Sequence, residues 1–134
     1  MCGILGAIPE VNRGLFQKSL NRLAHRGPDT EGIWVSPDHS IQMGHRRLSI
    51  IDLTDTASQP MHSQRYTITY NGEIYNYPEL RNTLIQSGYS FKSQSDTEVL
   101  LRGIHHWGSD LFEKLNGMWA LAIWDKQEHR LILS

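Results

Sequence analysis

The only cysteine of the chain stands at position 2, in Met1-Cys2-Gly3-Ile4. Removal of Met1 would give Cys2 a free α-amine beside its thiol. An α-amine titrates near ~7.7–8.0 and a thiol near ~8.5. One residue would then supply a nucleophile and its general base close to neutral pH. Three other stretches complement it: Arg47-Leu48-Ser49-Ile50, Asn71-Gly72-Glu73 and Ser95-Asp96. Arginine offers a planar fork to a carboxylate, and aspartate receives an ammonium group. An asparagine side chain and a glycine N–H together stabilise an oxyanion. Such a set would hold an amino acid by both α-groups and attack a carbonyl on its side chain. On residue type alone, plainer readings stand beside this one. A cysteine next to a start methionine is also what chance produces. Asp96 is also a charge favoured at a helix start, and Ser95 a cap.

Composition leaves room for an enzyme and excludes several other classes. At 134 residues the chain is expected to form one domain with a real core. With 39% hydrophobic and 20% charged residues it is neither a disordered segment nor a disulfide scaffold. A net charge of −1 gives no electrostatic case for nucleic acid or membrane surfaces. The one basic cluster, His45-Arg46-Arg47, is short and suits a solvated or ligand-facing spot. A lone cysteine excludes an internal disulfide and fits a reducing compartment. No apolar run is long enough to span a bilayer, and no secretory signal pattern opens the chain. A cytoplasmic location is therefore expected. His105-His106 lacks the spacing of a zinc site, and no metal is expected. Trp34, Trp107, Trp119 and Trp124 read as core or interface aromatics.

The elements that must position these groups follow from periodicity and turn signals. Cys2–Ile8 reads as a buried strand stopped by Pro9. Asn12–His25 reads as an amphipathic helix with Phe16, Leu20 and Leu23 on one face, halted at His25-Arg26-Gly27-Pro28-Asp29, where Arg26 and Asp29 can pair. Strands are expected at Gly32–Val35 and along Ile41–Ile51, the latter with Met43, His45, Arg47 and Ser49 on one side. Asp52–Ser63 reads as a loop. Arg65–Tyr70 is a strand ending at Asn71-Gly72-Glu73. Asn76 with Glu79, and Ser95 with Glu98, are capping-box patterns that open two helices. The first helix should end at Gly88, and the second, burying Leu100, Ile104 and Trp107, at Gly108. A short strand is expected at Phe91–Gln94, and helical turns at Ser109–Leu115. Met118–Trp124 should be a central strand, followed by Arg130–Leu133. Helices grouped between strands favour an α+β fold with a largely antiparallel sheet.

Six stretches, in this order, resemble one family: Met1-Cys2-Gly3-Ile4, His25-Arg26-Gly27-Pro28-Asp29, Arg47-Leu48-Ser49-Ile50-Ile51-Asp52, Asn71-Gly72-Glu73-Ile74-Tyr75-Asn76, Ser95-Asp96-Thr97-Glu98 and Asn116-Gly117-Met118-Trp119-Ala120. They are similar to the glutaminase domain of the class II glutamine amidotransferases, which are N-terminal-nucleophile hydrolases. The likeness is to their asparagine synthetase branch. It implies a four-layer α-β-β-α sandwich of mostly antiparallel sheets. Residues 1–134 would form a glutaminase domain incomplete at its C-terminus, with the synthetase domain absent. It implies that Cys2 attacks the glutamine side-chain amide through a thioester, that Asn71 and Gly72 form the oxyanion hole, and that Arg47 holds the substrate carboxylate. Asp96 with Glu73 would hold the α-amino end, and backbone near Ile50 and Ile51 would line the pocket. No cofactor is implied for this domain. ATP and Mg belong to the missing synthetase domain, which would amidate aspartate with the released ammonia. Glutamine, the synthetase domain and a second copy of the full-length enzyme are the implied partners. The alternatives are an inactive or non-catalytic fragment of this fold, and an amidotransferase for a sugar carboxylate in surface-polysaccharide biosynthesis. A chain that keeps Met1 lacks the proposed base and is expected to be inactive.

Overall fold

Period-two alternation gives the segment around Met43–Arg47 two unlike faces. Gly44 turns toward a helix: a Cβ there would lie 2.8 Å from the Phe16 ring and 3.2 Å from Leu20. Met43, His45 and Arg47 turn the other way and are buried. In the computed structural model, which describes residues 2–48 and 57–134, this segment is β3 (Gln42–Arg47). It is the middle strand of an antiparallel sheet, between β1 (Gly3–Ala7) and β2 (Thr30–Val35). Helix α1 (Arg13–Asn21) covers its outer face with Phe16 and Leu20. Asn12 caps that helix by accepting from Gly14 and Leu15 N–H.

The second sheet has the order β4 (Met61–His62), β5 (Tyr66–Ile74), β6 (Gly117–Asp125) and β7 (Arg130–Leu133), all antiparallel. Its inner face meets the first sheet through Ile41, Met43 and Trp124, with Trp34, Ala122 and Leu131 around them. Its outer face carries Ile68, Tyr70, Leu121 and Ile123. These pack against α2 (Tyr77–Gln86) and α3 (Asp96–Trp107) through Leu80, Leu84, Val99, Leu100 and Ile104. A short 3-10 turn and α4 (Leu111–Lys114) follow α3. The result is the expected α+β arrangement of helix, sheet, sheet and helices, with one apolar layer between each pair.

Several local expectations fail for identifiable reasons. The strand expected to end at Asn71-Gly72-Glu73 does not end there. β5 runs through these residues to Ile74, paired with β6, and Gly72 faces Trp119. A Cβ on Gly72 would lie 2.3 Å from the Met118 carbonyl oxygen and 2.7 Å from Trp119 Cα. The glycine thus serves a close backbone crossing rather than a reversal. Phe91–Gln94 is not a strand. Its amides are taken by a side chain, with Lys92 and Ser93 N–H donating to the Glu98 carboxylate. The Ser95 capping box is therefore half made: Ser95 Oγ accepts from Glu98 N–H at 3.2 Å, but the Glu98 side chain is occupied elsewhere. Asn76 makes no side-chain cap. Its Nδ2 donates to the Lys114 carbonyl and its Oδ1 accepts from Asn116 N–H. The first helix stops at Asn21, and residues 22–26 continue in tighter turns, as in Ala24 N–H to the Asn21 carbonyl. Two residues of the expected loop, Met61 and His62, form β4. β3 stops at Arg47, short of Leu48, and the rest of the expected extension to Ile51 lies outside the described residues.

The sheets are also joined by a polar bond. His45, 1% exposed, donates Nε2–H to the Tyr70 carbonyl at 3.1 Å. Burial, with Arg47 nearby, lowers its pKa to about 4. An unfolded histidine titrates near ~6.5, so between these values the unfolded chain binds the extra proton and stability falls with pH. On moving from pH 7.5 to 5, His45 should remove about 2 kcal/mol of stability. Urea unfolding at both pH values checks this: a His45→Gln chain should lose about 2 kcal/mol less than the wild type over that interval. A Gly72→Ala chain should lose about 1–3 kcal/mol in the same assay, because the neighbour is backbone and cannot move aside.

Candidate active site

Cys2 lies at the entry to β1 and is held at both its thiol and its carbonyl. Leu48 N–H donates to Sγ at 3.3 Å, and the thiol points back at the Leu48 carbonyl at 3.7 Å. Arg26 Nε donates to the Cys2 carbonyl at 3.0 Å. The His25–Asp29 loop can reach this position because Gly27 lies against β3. A Cβ there would come within 2.4 Å of the Arg46 carbonyl and 2.6 Å of Arg47 N. Asp29 N–H then donates to the Arg47 carbonyl at 3.0 Å. The loop thereby fastens the start of β1 beside the end of β3, which brings Cys2 and Arg47 to one place.

The end of β5 supplies the facing wall. Alternate N–H groups of an antiparallel strand point to opposite edges. The register with β6 runs on to Tyr75, whose N–H reaches the Asn116 carbonyl at 2.7 Å. Asn71 and Glu73 share that direction, so Tyr70, Gly72 and Ile74 present their N–H groups to the other edge. There β4 has already stopped. Tyr70 N–H donates to Gln59 Oε1 at 2.6 Å, and Ile74 N–H to Asp96 Oδ2 at 3.2 Å. Gly72 N–H lies between them with no partner among the described residues. The Asn71 Oδ1 is buried without a partner among the described residues. The amide NH2 is therefore the accessible end of that side chain.

Asp96 opens α3 and is 5% exposed. Tyr70 Oη donates to Asp96 Oδ2 at 2.7 Å, the same oxygen that accepts from Ile74. Backbone N–H groups of Asp96 and Thr97 at the helix start add to the hold on this carboxylate, which lines the cavity. Burial raises the Asp96 pKa above the ordinary carboxylate value, although these hydrogen bonds oppose the shift. Burial and the adjacent Asp96 charge push the Tyr70 phenol up as well. A carboxylate in this setting gains from an arriving cation. Behind it, Glu98 is desolvated, yet hydrogen bonds from Ser93 and Lys92 hold it ionised below its usual range.

A cavity of about 260 Å³ unites these groups. Cys2, Arg47, Asn71, Gly72, Glu73 and Asp96 all line it. Ile50 and Ile51 lie outside the described residues. Gln59, Tyr70, Thr97 and Met118 also line the cavity; Thr97 and Met118 stand in the motif stretches without an assigned role, and Gln59 and Tyr70 stand outside them. The signal for Tyr70 was its place one residue before Asn71 on a strand. Gln59 sits in a polar loop before Pro60, and nothing in the sequence marks it. A larger apolar cleft of about 390 Å³ lies between the sheets, against Ile4, Ala7, Ile41 and Leu131, and holds none of the reactive groups. Among the described residues no cluster of three or more His, Cys, Asp and Glu side chains could hold a metal ion. No helix among them is long and apolar enough to cross a membrane.

Comparison with known proteins points the same way. A model of the glutamine amidotransferase domain matches residues 1–134. Asparagine synthetase [glutamine-hydrolyzing] 1 of Bacillus subtilis (strain 168) is 41% identical over 140 residues, covering 98% of this chain and 22% of that protein. The putative asparagine synthetase [glutamine-hydrolyzing] 2 of Methanocaldococcus jannaschii is 36% identical over 155 residues, covering 100% of this chain and 30% of that protein. The chain thus spans about a fifth to a third of the length of these curated relatives. The solved glutamine phosphoribosylpyrophosphate amidotransferase of B. subtilis, complexed with ADP and GMP, has a TM-score of 0.81 at 20% identity, over 98% of this chain and 36% of that one. It shares the fold. With the family model matched from end to end, the chain belongs to the glutamine amidotransferase domain family.

Proposed function

We propose that this chain hydrolyses the side-chain amide of glutamine to glutamate and ammonia through a thioester on Cys2. One observation carries the reading. A single cavity holds a thiol, an arginine, a buried carboxylate and a strand edge whose Gly72 N–H has no partner among the described residues, and these match the parts of a free glutamine. Arg47 takes the α-carboxylate, Asp96 with Glu73 takes the α-ammonium, and the side-chain amide reaches Cys2.

The reaction runs in two halves. With Met1 removed, the α-amine of Cys2 accepts the thiol proton, and Sγ adds to the amide carbon. Negative charge develops on the amide oxygen, where Gly72 N–H and the Asn71 amide NH2 stabilise it. The same amine returns the proton to the departing nitrogen, and ammonia leaves a γ-glutamyl thioester. Water, deprotonated by the amine, attacks the thioester and releases glutamate. A retained Met1 would turn that amine into an amide nitrogen with no basicity, so processing is part of the mechanism.

The relatives are several times longer than this chain and are named as glutamine-hydrolysing asparagine synthetases. These facts support a pairing in which the ammonia feeds an ATP- and Mg-dependent synthetase domain that amidates aspartate. ATP and Mg would act in that domain, and no step in the cavity described above uses them.

Steady-state ammonia release from glutamine tests the reading. Cys2→Ala should lower turnover by at least about 10⁴-fold, as nucleophile removal does elsewhere. Unchanged glutamate release in that variant would leave a non-catalytic module of the same fold. Asp96→Asn should lower kcat/KM by roughly 10²–10³-fold, the scale for unpairing a buried charge. Because burial raises the Asp96 pKa, the carboxyl becomes neutral at a higher pH than an ordinary aspartate. KM for glutamine should therefore rise as pH falls, already above the ordinary value of 3.8, and this rise should vanish in Asp96→Asn.

A further inference from the structure

The Tyr70 peptide is pinned on both sides by side chains from other elements. Its carbonyl accepts from His45 on β3, and its N–H donates to Gln59 Oε1. Gln59 is 9% exposed, and its Nε2 donates to Thr97 Oγ1 at 3.2 Å, in the first turn of α3. One carboxamide therefore ties β5 to the helix that carries Asp96. The Gln59 backbone is itself fixed by close packing on β2, since a Cβ on Gly32 would lie 2.1 Å from its carbonyl oxygen.

The position of Gln59 along the ladder is informative. β4 pairs Met61 with Ile68 and His62 with Thr67, and goes no further. Pro60 has no N–H to extend it. The Gln59 side chain then substitutes for the missing strand at one residue, Tyr70. Two residues on, the Gly72 N–H faces the same edge and has no partner among the described residues. A longer β4 would have consumed it, and no partner at all would have left Tyr70 N–H unsatisfied in a buried place.

We propose that Gln59 is a positioning residue for the oxyanion donors: its carboxamide holds the Tyr70 peptide and so sets the direction of the Asn71–Gly72 peptide that follows. This rests on the reading of Asn71 and Gly72 as those donors. Gln59 does not touch the reacting atoms. It acts through the strand, so its loss weakens a hold made in the transition state and leaves the ends of glutamine bound.

Gln59→Met keeps the volume and removes both bonds, and two readouts in the full-length chain decide the matter. The first is kinetic: kcat should fall about 10–100-fold, the cost of misplacing a donor, with KM for glutamine changed less than about threefold. The second needs no activity. Amide hydrogen exchange at Tyr70 should quicken by at least about tenfold, while Ile123 in β6 keeps its protection. Tyr70 exchange equal to wild type, or quicker exchange with kcat unchanged, overturns the proposal. A wild type that does not hydrolyse glutamine overturns the glutaminase reading, and the exchange result still shows whether Gln59 holds the peptide. If Gln59→Met fails to fold, Thr97→Val, which releases only the far end of the carboxamide, should shift both readouts the same way by less; no shift in either is contrary to the proposal.

Discussion

The structure depends on an unfinished hydrogen-bond ladder. β5 is paired with β6 along its whole length but with β4 over only two residues. An open strand edge normally presents unpaired N–H groups that must find partners. Here Tyr70 N–H goes to Gln59, Ile74 N–H goes to Asp96, and the Gly72 N–H between them faces the cavity. The exposed edge of a sheet thereby becomes a donor site. Everything else in the cavity is arranged around that edge: Asp96 caps one end, and the sheet carrying Arg47 faces it.

That facing relation is set by the packing of the two sheets. His45 lies two residues before Arg47 on the same face of β3, and it donates to the residue just before Asn71. A neutral buried imidazole joins the two sheets at the point where both leave the apolar layer and become the walls of the cavity. Cys2 is brought in from the other side by the His25–Asp29 loop, which lies so close to β3 that only a glycine fits at position 27. Cys2, Arg47 and the Asn71–Gly72 peptide thus come together from β1, β3 and β5: the first two share one ladder, and His45 ties that ladder to β5. A site on strands of two packed sheets is more rigid than one on loops alone.

Much of this was legible in the residues. Cys2, Arg47, Asn71, Gly72 and Asp96 stand out by chemical type alone, and they line one cavity. The α+β layering followed from the order of elements, because periodicity is strong along Phe16–Leu20, Tyr66–Tyr70 and Val99–Ile104. What failed were signals whose usual meaning tertiary contacts override. Asn71-Gly72-Glu73 should end the strand, yet the glycine lets β6 approach and the pairing runs on to Ile74. Phe91–Gln94 has strand-like residues, but a buried glutamate takes its amides. Asn76 has the capping pattern, but its side chain finds α4 instead. Gln59 was invisible because its role depends on where β4 stops, and a two-residue strand leaves almost no periodic trace.

The central claim is that Cys2, freed of Met1, is the nucleophile of an assembled glutamine site. The most direct test is the intact mass of the protein before and after an electrophilic glutamine analogue, with peptide mapping and Cys2→Ala as control. Loss of Met1 with a single adduct on Cys2, blocked by excess glutamine and absent from the control, is the expected result. A chain lacking Met1 that takes no adduct, or takes one elsewhere, would contradict the claim.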